Sequence, residues 1–310
     1  MKEVDLPENL REPLETLLAN ADDDSRITEL RVDGRAYIVK IQERWRFPRL
    51  AMGARRARAV LVSWLCRLLF GQRPQADQLL RNDVWFEGRR LKFLHGRGVR
   101  VPEVFYHTEQ VLVMQEIGRV FPEHIRETEP RDRLPWLDRA TRALADFHRR
   151  GFWHGGAQLR NITWFQDEVW RLDFEEAVGD GLALPVAQAY DFFQLLQSTM
   201  QSREFPEADR LAIGAWMLLL YLERNRDASV RASMADMANG FRRLRPLLKL
   251  LSFIPGRDLK ALWRTSQVMQ LVLLPAVRQA DAEQLRRQSA SIEAHSAKTM
   301  PELLRSVENA

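Results

Sequence analysis

The sequence predicts an α+β chain: an N-terminal antiparallel sheet with an accompanying helix, followed by a mostly helical second part. Two observations carry this. Four short β-branched or aromatic runs fall before residue 118, and an Asp33-Gly34 pair joins the first two of them as a tight hairpin. After Pro122 the apolar residues recur almost wholly at helical spacing. Strands first and helices afterwards point to a sheet lobe and a helical lobe rather than to alternating β-α-β units.

Leu10, Leu14, Leu17 and Leu18 repeat as one face of an opening helix, which the run ADDDS ends. Ile27–Val32 and Tyr37–Ile41 read as the two strands of the hairpin. Residues 44–83 form an irregular, basic insert. Within it the stretch from Ala59 to Phe70 is apolar at ten of twelve positions, and Gly71 and Pro74 close it. A helix from Val84 to Leu94 stops at Gly96 and Gly98. VRVPEVFYHT and QVLVMQEIG supply two more strands, and Gly118 marks a break. The boundary expected there divides an N-lobe, 1–118, from a helical C-lobe, 119–310.

Trp136–Arg150 places Leu137, Ala140, Leu144 and Phe147 on one face. A loop-rich stretch follows from His154 to Glu176. Helices are then expected over Ala187–Ser198, Glu207–Glu223, Ala235–Leu251 and Asp258–Val277, with a polar tail from about 289.

Composition bounds the function. The chain has 310 residues, 45% of them hydrophobic and 29% charged, which excludes a disordered or low-complexity protein. The lone cysteine, Cys66, leaves no disulfide framework and fits a reducing compartment. No signal peptide is visible, and the apolar runs are too short to span a bilayer. The expected location is cytoplasmic, with membrane contact only at the inner surface. The net charge of +5 is unevenly spread: Arg44–Arg100 holds fourteen Arg or Lys against three acids, a local +11 that leaves −6 for the rest. An anionic partner such as phosphate, lipid headgroup or nucleic acid would suit it, and so would a solvated Arg-rich helix.

The chemistry is concentrated in GFWHGGAQLRNITWFQDEVWRLDFEEA, residues 151–177. It contains His154, then Asn161 seven positions on, then Asp173-Phe174 twelve further on. The pattern resembles the catalytic and metal-binding loops of the protein-kinase-like superfamily. On that resemblance His154 braces the loop, and Asn161 and Asp173 bind Mg²⁺ beside the phosphates of ATP, where hard oxygen ligands are needed. Lys40 matches the strand lysine that holds the α- and β-phosphates, and Glu87 its ion-pair partner on a helix. VLVMQEIG matches the hinge, with Gln115, Glu116 and Ile117 meeting the adenine. Asp191 matches a helical acid that braces the catalytic loop. The resemblance covers roughly residues 27–200. It is nearest to the lipopolysaccharide core kinases acting on Kdo or heptose sugars. FEGRRLKFLHGRGVRVPEVF is similar to their helix and Val-Pro strand, and Asp191 follows only eighteen positions after Asp173, with no Ala-Pro-Glu element for docking a peptide. The implied partner is an anionic glycolipid or sugar, approached with the basic insert against the inner membrane surface.

Three departures stand against this. The base position, two residues after His154, is Gly156; Glu175 replaces the glycine after Asp173-Phe174; and no glycine-rich loop precedes Lys40. Glu175 or Glu176 can substitute as base, Gln158 can position the acceptor, and Glu175 can add a metal ligand; Glu175-Glu176 also reads as a solvated acidic turn. A base contributes about 10²–10⁴-fold, so its loss leaves an impaired enzyme or a pseudokinase that senses nucleotide or acts as a scaffold. Two readings stay open for the 55–70 segment: an interfacial helix, with Arg55, Arg56 and Arg58 beside headgroups and Leu61, Trp64, Leu65 and Leu68 below them, or a helix packed on the N-lobe. Nucleic acid is disfavoured: Trp45, Phe47 and Trp64 lie among the basic residues, but no zinc knuckle, recognition helix or RNP motif accompanies them.

Overall fold

A computed structural model describes residues 6–20, 26–42, 48–75, 83–246, 249 and 256–274. The polar tail from 289, Trp45 and Phe47, and the end of the helix expected to reach Leu251 lie outside the described residues.

Helix α1 (Glu8–Asn20) leads into β1 (Ile27–Val32) and β2 (Arg35–Ile41). Asp33 and Gly34 both have positive φ, 52° and 75°, the backbone that a two-residue hairpin with right-handed strand twist requires. β3 (Val104–His107) and β4 (Val111–Gln115) complete an antiparallel sheet in the order β1-β2-β4-β3. Alternation along β2 decides what each face does. Tyr37 and Val39 turn towards α1, where they pack with Leu10, Leu14, Val111 and Val113. Ile38 and Lys40 face the other way. Pairing of Ile27 with Lys40 and of Lys40 with Leu112 fixes that register, and a one-residue slip would reverse it.

Between β2 and β3 lie α2 (Pro48–Phe70) and α3 (Val84–His95). Asp83 caps α3 by accepting a hydrogen bond from the Phe86 amide at 2.6 Å. The second part contains α4 (Phe121–Glu127), α5 (Leu134–Arg149), the hairpin β5 (Ile162–Phe165) and β6 (Glu168–Arg171), and then α6 (Leu184–Gln201), α7 (Arg210–Arg224), α8 (Ala228–Arg243) and α9 (Arg257–Leu273). Every residue of α7 from Ala212 to Leu222 is buried, the signature of a helix enclosed on all sides; it packs on α5, α6 and α9. The α+β class and its antiparallel-then-helical order are those expected from the sequence. One core runs from Leu91, Val101 and Leu112 through Phe121 and Leu144 to Phe192 and Met237, so it joins the sheet part to the helical part.

The insert differs from its expected irregularity. Its helix begins at Pro48, a full three turns before the apolar run. The Arg-Ala-Met-rich stretch lacks apolar periodicity but consists mostly of good helix formers.

Candidate functional site

Strand β2, helix α3 and the loop after β6 converge on one ammonium group. Lys40 Nζ lies 2.7 Å from Glu87 Oε2, 2.8 Å from Asp173 Oδ1 and 2.9 Å from Glu175 Oε2. The lysine side chain is 7% exposed and that of Glu87 0%. Burial presses the Lys40 ammonium towards its neutral form, but the three carboxylates outweigh it and hold the pKa above its usual value. Glu87 feels complete burial most, which pushes its carboxyl up to about 7 against the pull of Lys40. Burial likewise opposes ionisation of Asp173, and there Lys40 wins and holds the carboxyl below its usual range.

Asn161 stands just before β5, and Asp173 lies two residues past β6, so the hairpin brings them together. The Asn161 Nδ2 donates to Gly156 O at 2.8 Å and to Asp173 Oδ2 at 3.2 Å. That leaves the amide oxygen as the atom Asn161 could offer to a cation. Asp173 itself has φ of 67°, a left-handed backbone that a non-glycine residue rarely holds and that turns its carboxylate back towards Lys40.

Below these groups, Asp191 of α6 anchors the loop from His154. Its Oδ2 accepts from the His154 amide at 2.5 Å and its Oδ1 from the Gly155 amide at 2.7 Å. Burial opposes the ionisation of Asp191, but His148 and the His154 amide hold its pKa below the usual range. His154 is fully buried and stacks on Phe174 with ring centroids 4.1 Å apart. Burial drives its pKa down to about 3, so the ring is neutral, and its Nδ1 accepts from the Gly156 amide at 3.1 Å. Gly155 is obligatory here: φ is 95°, and a Cβ would lie 2.6 Å from the Glu176 carbonyl oxygen. Gly156 carries no side chain, so no carboxylate occupies the expected base position.

Above lies a cleft of about 440 Å³. Ile27, Ile38, Met114 and Leu172 are among its apolar walls, and Gln115, Glu116, Ile117 and Gly118 form one edge. Lys40, Glu87, Asn161, Asp173 and Glu175 also line it, together with Arg26 and Arg160. The volume and the mix of apolar walls with a few convergent polar groups suit a small ligand. The cleft thus brings together the lysine, its acidic partners, the expected hinge residues Gln115 to Ile117 and the expected metal ligands, while His154 and Asp191 hold the loop beneath it.

Sequence reasoning missed three supports. Arg90, one turn after Glu87 on α3, donates to Trp153 O at 2.5 Å and Glu176 O at 3.2 Å, and its guanidinium lies 3.4 Å from the centre of the Trp153 ring. Gln194, three residues after Asp191, donates to Gly155 O at 2.7 Å. Gln188 donates to the His148 and Phe152 carbonyls, both at 2.8 Å. Their helical spacing from Glu87 and Asp191 was the available signal.

No family model matches the chain. It is similar to an uncharacterized protein of Haemophilus influenzae, 25% identical over 105 residues. That match spans 33% of this chain and 42% of the other protein. Among solved structures, a MAP kinase from Leishmania major aligns over 94% of this chain and 89% of its own, at 14% identity and a TM-score of 0.35. That score is below the level at which a shared fold is established, so the assignment of architecture rests on this chain's own sheet and helices.

Proposed function

We propose that the chain is a kinase-like phosphotransferase using ATP and Mg²⁺. The observation that supports this most is the buried ammonium of Lys40, bound to Glu87 on a helix and to Asp173 after a hairpin, in a cleft that also has apolar walls. Phosphoryl transfer needs little covalent participation from the protein and much positioning of charge, and a lysine fixed from two sides supplies that.

Hard oxygen donors are what Mg²⁺ requires. Glu87, Asp173 and Glu175 offer carboxylate oxygens within 4.8 Å of one another, and Glu87 Oε1 is buried with no hydrogen-bond partner. These three carboxylates meet around the Lys40 ammonium; Asp173, with its carboxylate, and Asn161, with its amide oxygen, are the residues that would hold a divalent cation. When bound, such an ion neutralises phosphate charge. Lys40 orients the α- and β-phosphates, Glu87 keeps Lys40 in place, and Gln115 to Ile117 border the adenine end. Asp191 and His154 hold the loop that carries Gly156. Glu175 substitutes for the missing base.

The proposed acceptor is a sugar hydroxyl of an anionic envelope glycolipid, such as a lipopolysaccharide core sugar. The short span from Asp173 to Asp191 favours a sugar over a peptide. A second reading has its own observation: with Gly156 bare and Glu175 on the lysine, the site can bind nucleotide without transferring phosphate, as a pseudokinase does. Incubation with labelled ATP, Mg²⁺ and purified core glycolipid separates the two. Label on the glycolipid that disappears in Asp173→Ala supports the enzyme; nucleotide binding with no transfer to any sugar acceptor supports the pseudokinase.

A further inference from the structure

Helix α2 is two-faced in an unusual sense: one side is packed, and the other is apolar and open. Ala59, Ser63 and Cys66 are buried. Cys66 packs with Val178, Val186 and Ala187, and Leu69 lies so close to α8 that a Cβ on Gly240 would come within 3.0 Å of its Cα. Ser63 Oγ closes the segment by donating to Pro74 O at 2.7 Å. The reading of this helix as packed is therefore correct for that side, although α2 packs on α8 and the start of α6 rather than on the sheet lobe.

The opposite side carries Val60, Leu61 and Trp64 at 51%, 56% and 53% exposure; Met52 is also exposed, but at the helix angle of buried Ala59 and Ser63. Four of the nine large apolar side chains exposed among the described residues thus lie on one helix. Val60, Leu61 and Trp64 fall within about 100° of the helix circumference and form a patch roughly 6 Å long along the axis. Arg56 and Arg67 are exposed beside it. From Pro48 to Phe70 the helix has five arginines and no acidic residue.

We infer that this face of α2 docks on the surface of an anionic lipid bilayer, with Val60, Leu61 and Trp64 at the acyl boundary and Arg56 and Arg67 among the headgroups. An apolar patch with cations beside it is the pattern of an interfacial helix, and each cation near an anionic surface adds to the attraction. Indole suits the boundary because it is apolar in body and polar at one edge. A second copy fits less well: a two-fold contact would bring the same acid-free helix against itself, with exposed Arg56 and Arg67 meeting their own copies. Nucleic acid would use the arginines but leave the apolar patch without a partner. No helix among the described residues is long and apolar enough to cross a membrane, so the contact is peripheral. The inference does not depend on the nucleotide cleft.

The test is flotation of the full chain with phosphatidylcholine vesicles, alone or with about a third phosphatidylglycerol. Binding is expected only to the anionic vesicles, weakened by high salt. It should fall about tenfold or more in the double variant Leu61→Glu/Trp64→Glu with an unchanged melting temperature. Leu61→Ala/Trp64→Ala, which adds no charge, should give a smaller loss in the same direction. Absence of binding, equal binding to neutral vesicles, or binding indifferent to both double variants overturns the inference. So does RNA binding of equal strength that neither variant weakens, or self-association that both abolish.

Discussion

Asp191 holds His154 by its backbone: the buried carboxylate of the helix residue lies 2.5 Å from the histidine amide and 2.7 Å from the next amide, that of Gly155. A third contact, 3.2 Å from His148 Nε2, satisfies the same oxygen that serves His154. Removing the acid leaves two buried amides without acceptors. Asp191→Ala should therefore cost about 3–5 kcal/mol, with Asp191→Asn milder because its amide oxygen still accepts. Chemical denaturation measures this; a loss under about 1 kcal/mol would show that the loop does not depend on Asp191.

Arg90 connects the helix of Glu87 to both loops of the site. Arg90→Met keeps a long stem but removes the bonds to the Trp153 and Glu176 carbonyls. Nucleotide affinity should fall roughly tenfold, with Arg90→Lys intermediate because it cannot serve two acceptors in the same fork. Isothermal titration with ATP distinguishes the two variants. Equal affinity in both would remove Arg90 as a positioning residue.

The adjacent glycines should respond oppositely. At Gly155 the left-handed backbone and the 2.6 Å approach to Glu176 O predict that Gly155→Ala destabilises by about 1–3 kcal/mol. At Gly156 an added Cβ would lie 3.3 Å from the Asn161 amide nitrogen and 3.7 Å from Asp173 O, a tight but adjustable fit. Gly156→Asp should fold and raise the rate of phosphate transfer, by up to about 10²-fold where the missing base limits it. Identical behaviour of the two variants in melting and in rate would refute the assignment of position 156.

His107 sets a pH dependence away from the site. It is buried under Gly88 and stacks on Trp85, and its two ring nitrogens have no partner. Burial, with Lys92 and Arg89 nearby, lowers its pKa to about 4. The folded value lies below the unfolded value of about 6.5, so the unfolded chain binds the proton more readily. The stabilising contribution is complete above pH 6.5 and is lost as the pH falls towards 4. His107→Phe keeps the stacking and should flatten the acid limb of the stability curve, while the buried His148 and His154, also shifted down, leave a residual slope. An unchanged slope in the variant would mean that His107 is already solvated in the folded state.

The parts of the site that follow chain periodicity were legible in the sequence. Alternation in YIVKI points Lys40 away from Tyr37 and Val39, and Asp33-Gly34 fixes the turn that sets the register. The resemblance of the His154, Asn161 and Asp173 pattern to kinase-like loops implied that Asn161 and Asp173 would meet, and their side chains lie 3.2 Å apart. Contacts made by loops of no fixed period were not legible. That Glu175 would reach Lys40 depends on the left-handed turn at Asp173, which no residue type there announces. One helix end was missed where the cue was a proline inside the first turn: α6 starts at Leu184, before Pro185, because proline lacks the N–H that the first turn would leave without an intrahelical acceptor. The first turns of α2 were missed because arginine and alanine favour helix without marking a face.

The central claim is that Lys40, Asn161 and Asp173 form a nucleotide and metal site. The most direct measurement is a thermal-shift titration with ATP and Mg²⁺ on the wild-type chain and on Asp173→Ala. Ligand at about a hundred times Kd adds about 2.7 kcal/mol, a rise of roughly 2 °C or more. A shift that requires Mg²⁺ and disappears in an Asp173→Ala protein that still melts cooperatively is the predicted result. No shift with any nucleotide or divalent cation, or an equal shift in both proteins, would contradict it.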